Sequence, residues 1–117
     1  MIINPEKISK CSDSIKNLVG YLESIYGTVI VTSGYRTAEE NAAAGGAQNS
    51  AHMKALAVDI VVKDVHCVKV AAKALEGIRG IRGLGISVYE NYCHFDFMDR
   101  GVSGLVSWCY DRSGRFI

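Results

Sequence analysis

Three polar residues stand where packing alone would not place them. His52 closes a glycine-rich loop, Asp59 interrupts an apolar run over residues 56–62, and His94 interrupts another over 92–97. Desolvating a carboxylate costs several kcal/mol, so an aspartate within an apolar strand requires a partner. Two arrangements satisfy it. In one, Asp59 is salt-bridged and the histidines are held by ordinary hydrogen bonds. In the other, the three side chains share a divalent cation. Two imidazoles and one carboxylate supply a zinc ion with three ligands and leave its fourth tetrahedral position to water. That is the pattern of catalytic sites, since structural sites are closed and rich in cysteine.

These residues sit in segments that resemble a known family. The segment from Ser50 through His52 and Ala55 to Asp59 resembles the Ser-x-His-x-x-Gly-x-Ala-x-Asp signature of the D-alanyl-D-alanine carboxypeptidase family of zinc peptidases. Ser33-Gly34-Tyr35-Arg36 upstream is similar to the same family's serine-glycine-tyrosine-arginine segment. Gly83-Leu84-Gly85-Ile86 and His94-Phe95-Asp96 resemble its closing strands in the short, often phage-borne branch with a His-x-Asp ending. The resemblance covers about residues 28–62 and 83–97. It implies the zinc-binding α+β fold shared with the hedgehog signalling domain. It also implies Zn2+ held by His52, Asp59 and His94, and hydrolysis of peptidoglycan stem peptides at bonds involving D-amino acids. Arg36 is then expected to hold a substrate carboxylate or the tetrahedral oxyanion, against a plain surface salt bridge to Glu39 or Glu40. Ser50 is expected beside the metal, against a turn-stabilising role.

The chain departs from the family at two positions. The glycine three residues after the first histidine is Ala55, at a cost of about 1 kcal/mol if the backbone there is left-handed. Many relatives carry an acid three residues before the last histidine as general base, and here that position is Asn91, which takes no proton. Asp96 is the preferred substitute, because residues two apart on a strand share a face. It is expected either to accept a proton from zinc-bound water or to orient a ligand from behind. Glu90 is the next candidate, against simple solvation on a turn. Without a working base, the alternative is a catalytically silent zinc-binding module or a virion component of the same fold.

The elements that must position these groups follow from periodicity. Asn4-Pro5 reads as a cap, and Ile8, Cys11, Ile15, Leu18, Leu22 and Ile25 form one stripe of a long helix ending near Gly27. Residues 28–32 read as a strand. Thr37 with Glu40 is a capping box for a helix to about Ala44, followed by a loop over 45–50. Residues 56–62 form the next strand, and Asp64 caps a helix that buries Val65, Val68, Ala72 and Leu75. His66 is expected at the surface of that helix. Strands at 83–89 and 92–97 are joined by a tight turn at Glu90-Asn91. The tail from Gly101 has no clear pattern. The order of elements predicts an α+β domain over 1–117 with a mainly antiparallel sheet packed against helices.

Composition narrows the function classes. A net charge of +1 with no polybasic block argues against nucleic-acid binding through phosphate contacts. No stretch is long enough for a membrane helix, and no signal peptide is evident, so a cytoplasmic product is expected. It would reach the cell wall through a phage holin or within a virion, acting as a monomer. Cys11, Cys67, Cys93 and Cys109 lack Cys-x-x-Cys spacing and are expected to be reduced and mostly buried.

Overall fold

Apolar residues at every second position give the sheet two unlike faces, and this decides where the polar cluster lies. The computed structural model describes residues 1–46 and 50–115. Ala47, Gln48 and Asn49 of the expected loop lie outside the described residues. The strands are β1 (Ile2–Ile3), β2 (Val29–Ser33), β3 (Ala57–Val62), β4 (Gly83–Ser87), β5 (Tyr92–Asp96) and β6 (Val106–Cys109). They form one sheet in the order β1-β2-β3-β5-β4-β6. Its centre, β2-β3-β5-β4, is antiparallel, and β1 and β6 add parallel edges. The expected α+β class with a mainly antiparallel sheet is observed, and the parallel pairings of β1 and β6 at the edges make the sheet mixed.

One face is the core. Val58, Ile60 and Val62 of β3 and Cys93 and Phe95 of β5 are buried there with Leu84 of β4. They are covered by α1 (Asp13–Tyr26) and α3 (Cys67–Gly77), which pack on each other and on the strands. Ile15, Leu18, Val19 and Leu22 are the buried stripe of α1. The short α2 (Ala38–Ala43) opens with the expected capping box between Thr37 and Glu40.

The two long helices differ from the expectation for physical reasons. The N-terminal stripe is not one helix: Pro5–Ile8 is a 3₁₀ turn, and α1 starts only after Ser12, whose Oγ accepts from Ile15 N. The interruption leaves Ser12 N free to donate to Ala55 O at 2.9 Å, while Ile8 and Cys11 still reach the core. In α3 the buried stripe is Cys67, Val70, Ala71 and Ala74, whereas Val68 and Leu75 are 50% and 42% exposed. Two stripes of apolar residues run along this helix, and the sheet takes the one with smaller side chains, which allows closer approach. Its N-cap is His66, with Nδ1 accepting from Val68 N, and not Asp64, which lies in a left-handed turn at φ 64°. The sequence reading placed no strand at β1 or β6.

Candidate metal centre

On the face opposite the core, the strand registers place Asp59 beside His94, His94 beside Gly85, and Gly85 beside Trp108. Ser33 stands opposite Asp59 on the other side, after a bulge at Thr32. One row across the sheet therefore carries the two ligand candidates that come from strands. His52 arrives from a 3₁₀ turn, Ala51–Lys54, that follows the glycine-rich loop. Ser50 caps this turn by accepting from His52 N at 3.2 Å, and Ala55 closes it at φ 60°. The left-handed conformation anticipated for that position is thus carried by alanine, at a cost of about 1 kcal/mol.

The three side chains meet. Asp59 Oδ1 lies 3.3 Å from His52 Nε2 and 2.9 Å from His94 Nδ1. One ligand atom from each residue lies within 4.8 Å of the other two. In a tetrahedral site with bonds near 2.0–2.1 Å, donor atoms stand roughly 3.3 Å apart, so the set suits zinc without rearrangement of the strands. The ring nitrogens turned away from the cluster are both engaged. His52 Nδ1 bonds Gly34 O at 2.8 Å, and His94 Nε2 bonds Asp96 Oδ2 at 2.6 Å. Such contacts set the tautomer and the ring orientation of metal-binding histidines. They leave His52 Nε2 and His94 Nδ1 for a cation.

Electrostatics agree with this geometry. Burial alone would raise the Asp59 pKa, but hydrogen bonds from His52 and His94 outweigh it and hold the carboxyl well below its ordinary range. Burial would lower His94, yet its bonds to Asp59 and Asp96 raise it to about 9. In the metal-free protein His94 is therefore an imidazolium, and the proton on Nδ1 stands where a cation would bind.

Asp96 is fully buried. Its oxygens accept from His94 Nε2, from Met98 N at 3.2 Å, and from Arg100 Nη1 and Nη2 at 2.7 and 2.8 Å. Burial would raise its pKa, and the Arg100 and His94 bonds reverse that. Glu90 lies on the exposed turn after β4 and is not among the residues lining the cleft. Asn91, at φ 54°, turns its side chain to the start of α3: Oδ1 accepts from Cys67 N at 2.7 Å and Nδ2 donates to Val65 O. Arg36 is held in the cleft by Ser33 Oγ at 3.0 Å and Asn41 Oδ1 at 3.4 Å, with Asp59 Oδ2 at 3.7 Å as its ion partner. Glu40 caps α2.

The cluster opens into a cleft of about 560 Å³. Its far wall holds residues that sequence reasoning missed: Arg100, Trp108 and Tyr110. The Trp108 ring lies 5.3 Å from the His94 ring, with the Arg100 guanidinium 5.6 Å above it. Burial first, then the neighbouring Tyr110, raises the Tyr92 phenol above its ordinary value. The alternation of Val106, Trp108 and Tyr110 was a usable strand signal, whereas nothing in the sequence marks the bond from Arg100 to Asp96. The two glycines of β4 keep this side open. A Cβ on Gly83 would come within 2.2 Å of Asp96 Oδ2, and one on Gly85 within 2.6 Å of Trp108 Nε1.

Comparison with curated proteins gives no match. The family model described as Peptidase M15 matches residues 2–96, which include His52, Asp59, His94 and Asp96. A His-Asp-His set able to hold a metal, on an α+β fold compatible with that family, accompanies the match, and the chain belongs to the Peptidase M15 family.

Proposed function

We propose that this protein is a zinc-dependent peptidase that hydrolyses peptidoglycan stem peptides at bonds involving D-amino acids. The observation that carries the reading is the His52–Asp59–His94 cluster, with both histidines oriented from behind and the cleft in front. Zinc, when bound there, polarises a scissile carbonyl and lowers the pKa of water. Arg36 lines the same cleft and offers its guanidinium to a substrate carboxylate. Asp96 holds the His94 tautomer. With His94, Arg100 and Met98 as donors, it has little capacity left to act as a general base. These bonds support the orienting role for Asp96 over the base, and Glu90, exposed on its turn, is read here as solvated.

The test is to incubate the zinc-loaded protein with purified cell walls and identify released muropeptides by mass spectrometry. Cleavage products ending or starting at a D-residue support the proposal and name the bond. A zinc-loaded protein that releases nothing is a zinc-binding module of this fold instead.

A further inference from the structure

Asp96 ends β5, and the chain then turns so that Arg100 comes back onto its carboxylate. The contact is a fork: Nη1 donates to Oδ1 at 2.7 Å and Nη2 to Oδ2 at 2.8 Å. Nη1 also donates to Met98 O at 3.2 Å, while Met98 N donates to Oδ1, so the whole turn is tied to this carboxylate. The guanidinium lies 5.6 Å from the Trp108 ring centroid, which supports it from the β6 side. The carboxyl torsion of an aspartate is broad and roughly two-fold, so its plane needs an outside constraint. The neighbour on β4 is Gly83, which has no side chain to supply one; a Cβ there would stand 2.2 Å from Oδ2. The planar fork of Arg100 does supply it. Oδ2 is also the oxygen that accepts from His94 Nε2 at 2.6 Å, and on the other side of that ring Nδ1 lies 2.9 Å from Asp59 Oδ1. The constraint thus passes from Arg100 through Asp96 to the imidazole that faces the metal position.

We propose that Arg100 is a positioning residue of the metal centre: its fork fixes the plane of Asp96, and through it the orientation of the His94 ring toward zinc. This rests on the zinc reading of the cluster above, but not on which bond is cleaved. It puts a determinant of metal affinity in the turn after β5, beyond residue 96, where the family match ends. Positive charge alone would not do this. Lysine is a single-point cation and cannot hold both oxygens of a carboxylate in one plane. Arg100→Lys therefore keeps the charge beside Asp96, and with it the acceptor strength of the carboxylate, and removes only the fork.

The experiment compares wild type with Arg100→Lys and Arg100→Ala. Zinc affinity is measured by competition with a chromophoric chelator. Proton–nitrogen correlation spectra at saturating zinc follow the His94 Nε2 proton, and thermal unfolding checks the fold. Losing a direct outer partner of a metal-binding histidine lowers affinity about 10–100-fold. Arg100 stands one bond further out, so Arg100→Lys is expected to weaken zinc binding about three- to tenfold. The His94 Nε2 proton should move upfield and exchange faster with water, as its bond to Asp96 loosens. Arg100→Ala should weaken zinc binding at least as much; if it does not fold, Arg100→Lys alone decides. A residue that merely braces the turn would lower Tm and leave the ring proton where it is. If Arg100→Lys leaves either zinc affinity or the His94 proton at its wild-type value, the proposal is overturned. A wild type that binds zinc yet cleaves no muropeptide overturns the peptidase reading alone, since neither readout depends on turnover. A wild type that binds no zinc overturns both.

Discussion

Replacing Asp96 by asparagine separates an orienting carboxylate from a general base. The substitution keeps size and one carbonyl oxygen, but it sets an NH₂ group against donors. In the native site the two oxygens accept from His94 Nε2 at 2.6 Å, from both Arg100 Nη atoms at 2.7 and 2.8 Å, and from Met98 N. Removing one partner of a fully buried ion pair costs about 3–5 kcal/mol. Arg100 is 24% exposed and regains water, and asparagine retains an acceptor, so about 2–3 kcal/mol is expected here. For a chain of this size that is a fall in Tm of roughly 8–12 °C. Losing the carboxylate behind a metal-binding histidine lowers metal affinity by about 10–100-fold, or roughly 1.4–2.7 kcal/mol. The assay is zinc titration against a chromophoric chelator, with thermal unfolding and turnover at saturating zinc alongside. Turnover at saturating zinc should stay within about tenfold of wild type, and Glu90→Gln should change none of the three readings. Unchanged zinc affinity and Tm with a hundredfold loss of turnover would refute the reasoning and make Asp96 the base.

Three further outcomes follow from the same geometry. His52→Ala or His94→Ala should each remove the roughly one zinc per chain held by wild type, because two ligands rarely retain the ion; elemental analysis showing full zinc in both variants rejects the centre. In the metal-free protein His94 is raised from an ordinary 6.5 to about 9, so the stability it contributes is complete below about 6.5 and lost as pH rises through about 9. Unfolding scans in chelator should show Tm falling across that window, and zinc affinity should rise across it as the Nδ1 proton is removed; a flat Tm between pH 6 and 9.5 contradicts this. Cys11, Cys67 and Cys93 are buried, with burial pushing the Cys93 thiol up to about 12, while Cys109 is exposed. A thiol reagent should therefore modify one cysteine in the native protein and four after denaturation without reductant, and two in the denatured state would reveal a disulfide.

The polar face of the sheet accounts for why so short a chain can carry a site of this kind. Sheet rows hold neighbouring Cβ atoms about 5 Å apart, close to the spacing that two ligands of one ion need. Asp59 and His94 are such neighbours, so backbone hydrogen bonds of β3 and β5 set their separation before any metal binds. His52 is the less constrained member, fixed instead by its cap and by Gly34 O.

How much of this was legible depended on whether a feature is local. Strand β3 with its intrusive Asp59, the capping box of α2 and the motif around His52 are short-range patterns, and alternation or fixed spacing exposes them directly. The same holds for the likeness of those motifs to zinc peptidases, which gave the family. The phase of α3 was not legible, because two apolar stripes satisfy one period and only contact with the sheet selects the smaller one. Nor was the break before α1, where spacing in register with a helix survives a turn that is not helical. The partner of Asp96 was out of reach as well, since Arg100 lies beyond the end of β5, in no regular element, and joins the carboxylate only after the chain turns back. Tyr110 and Trp108 came into the cleft because β6 pairs with β4 and not with its neighbours in sequence. Strand order is a property of the packed sheet, and no local pattern in residues 101–110 encodes it.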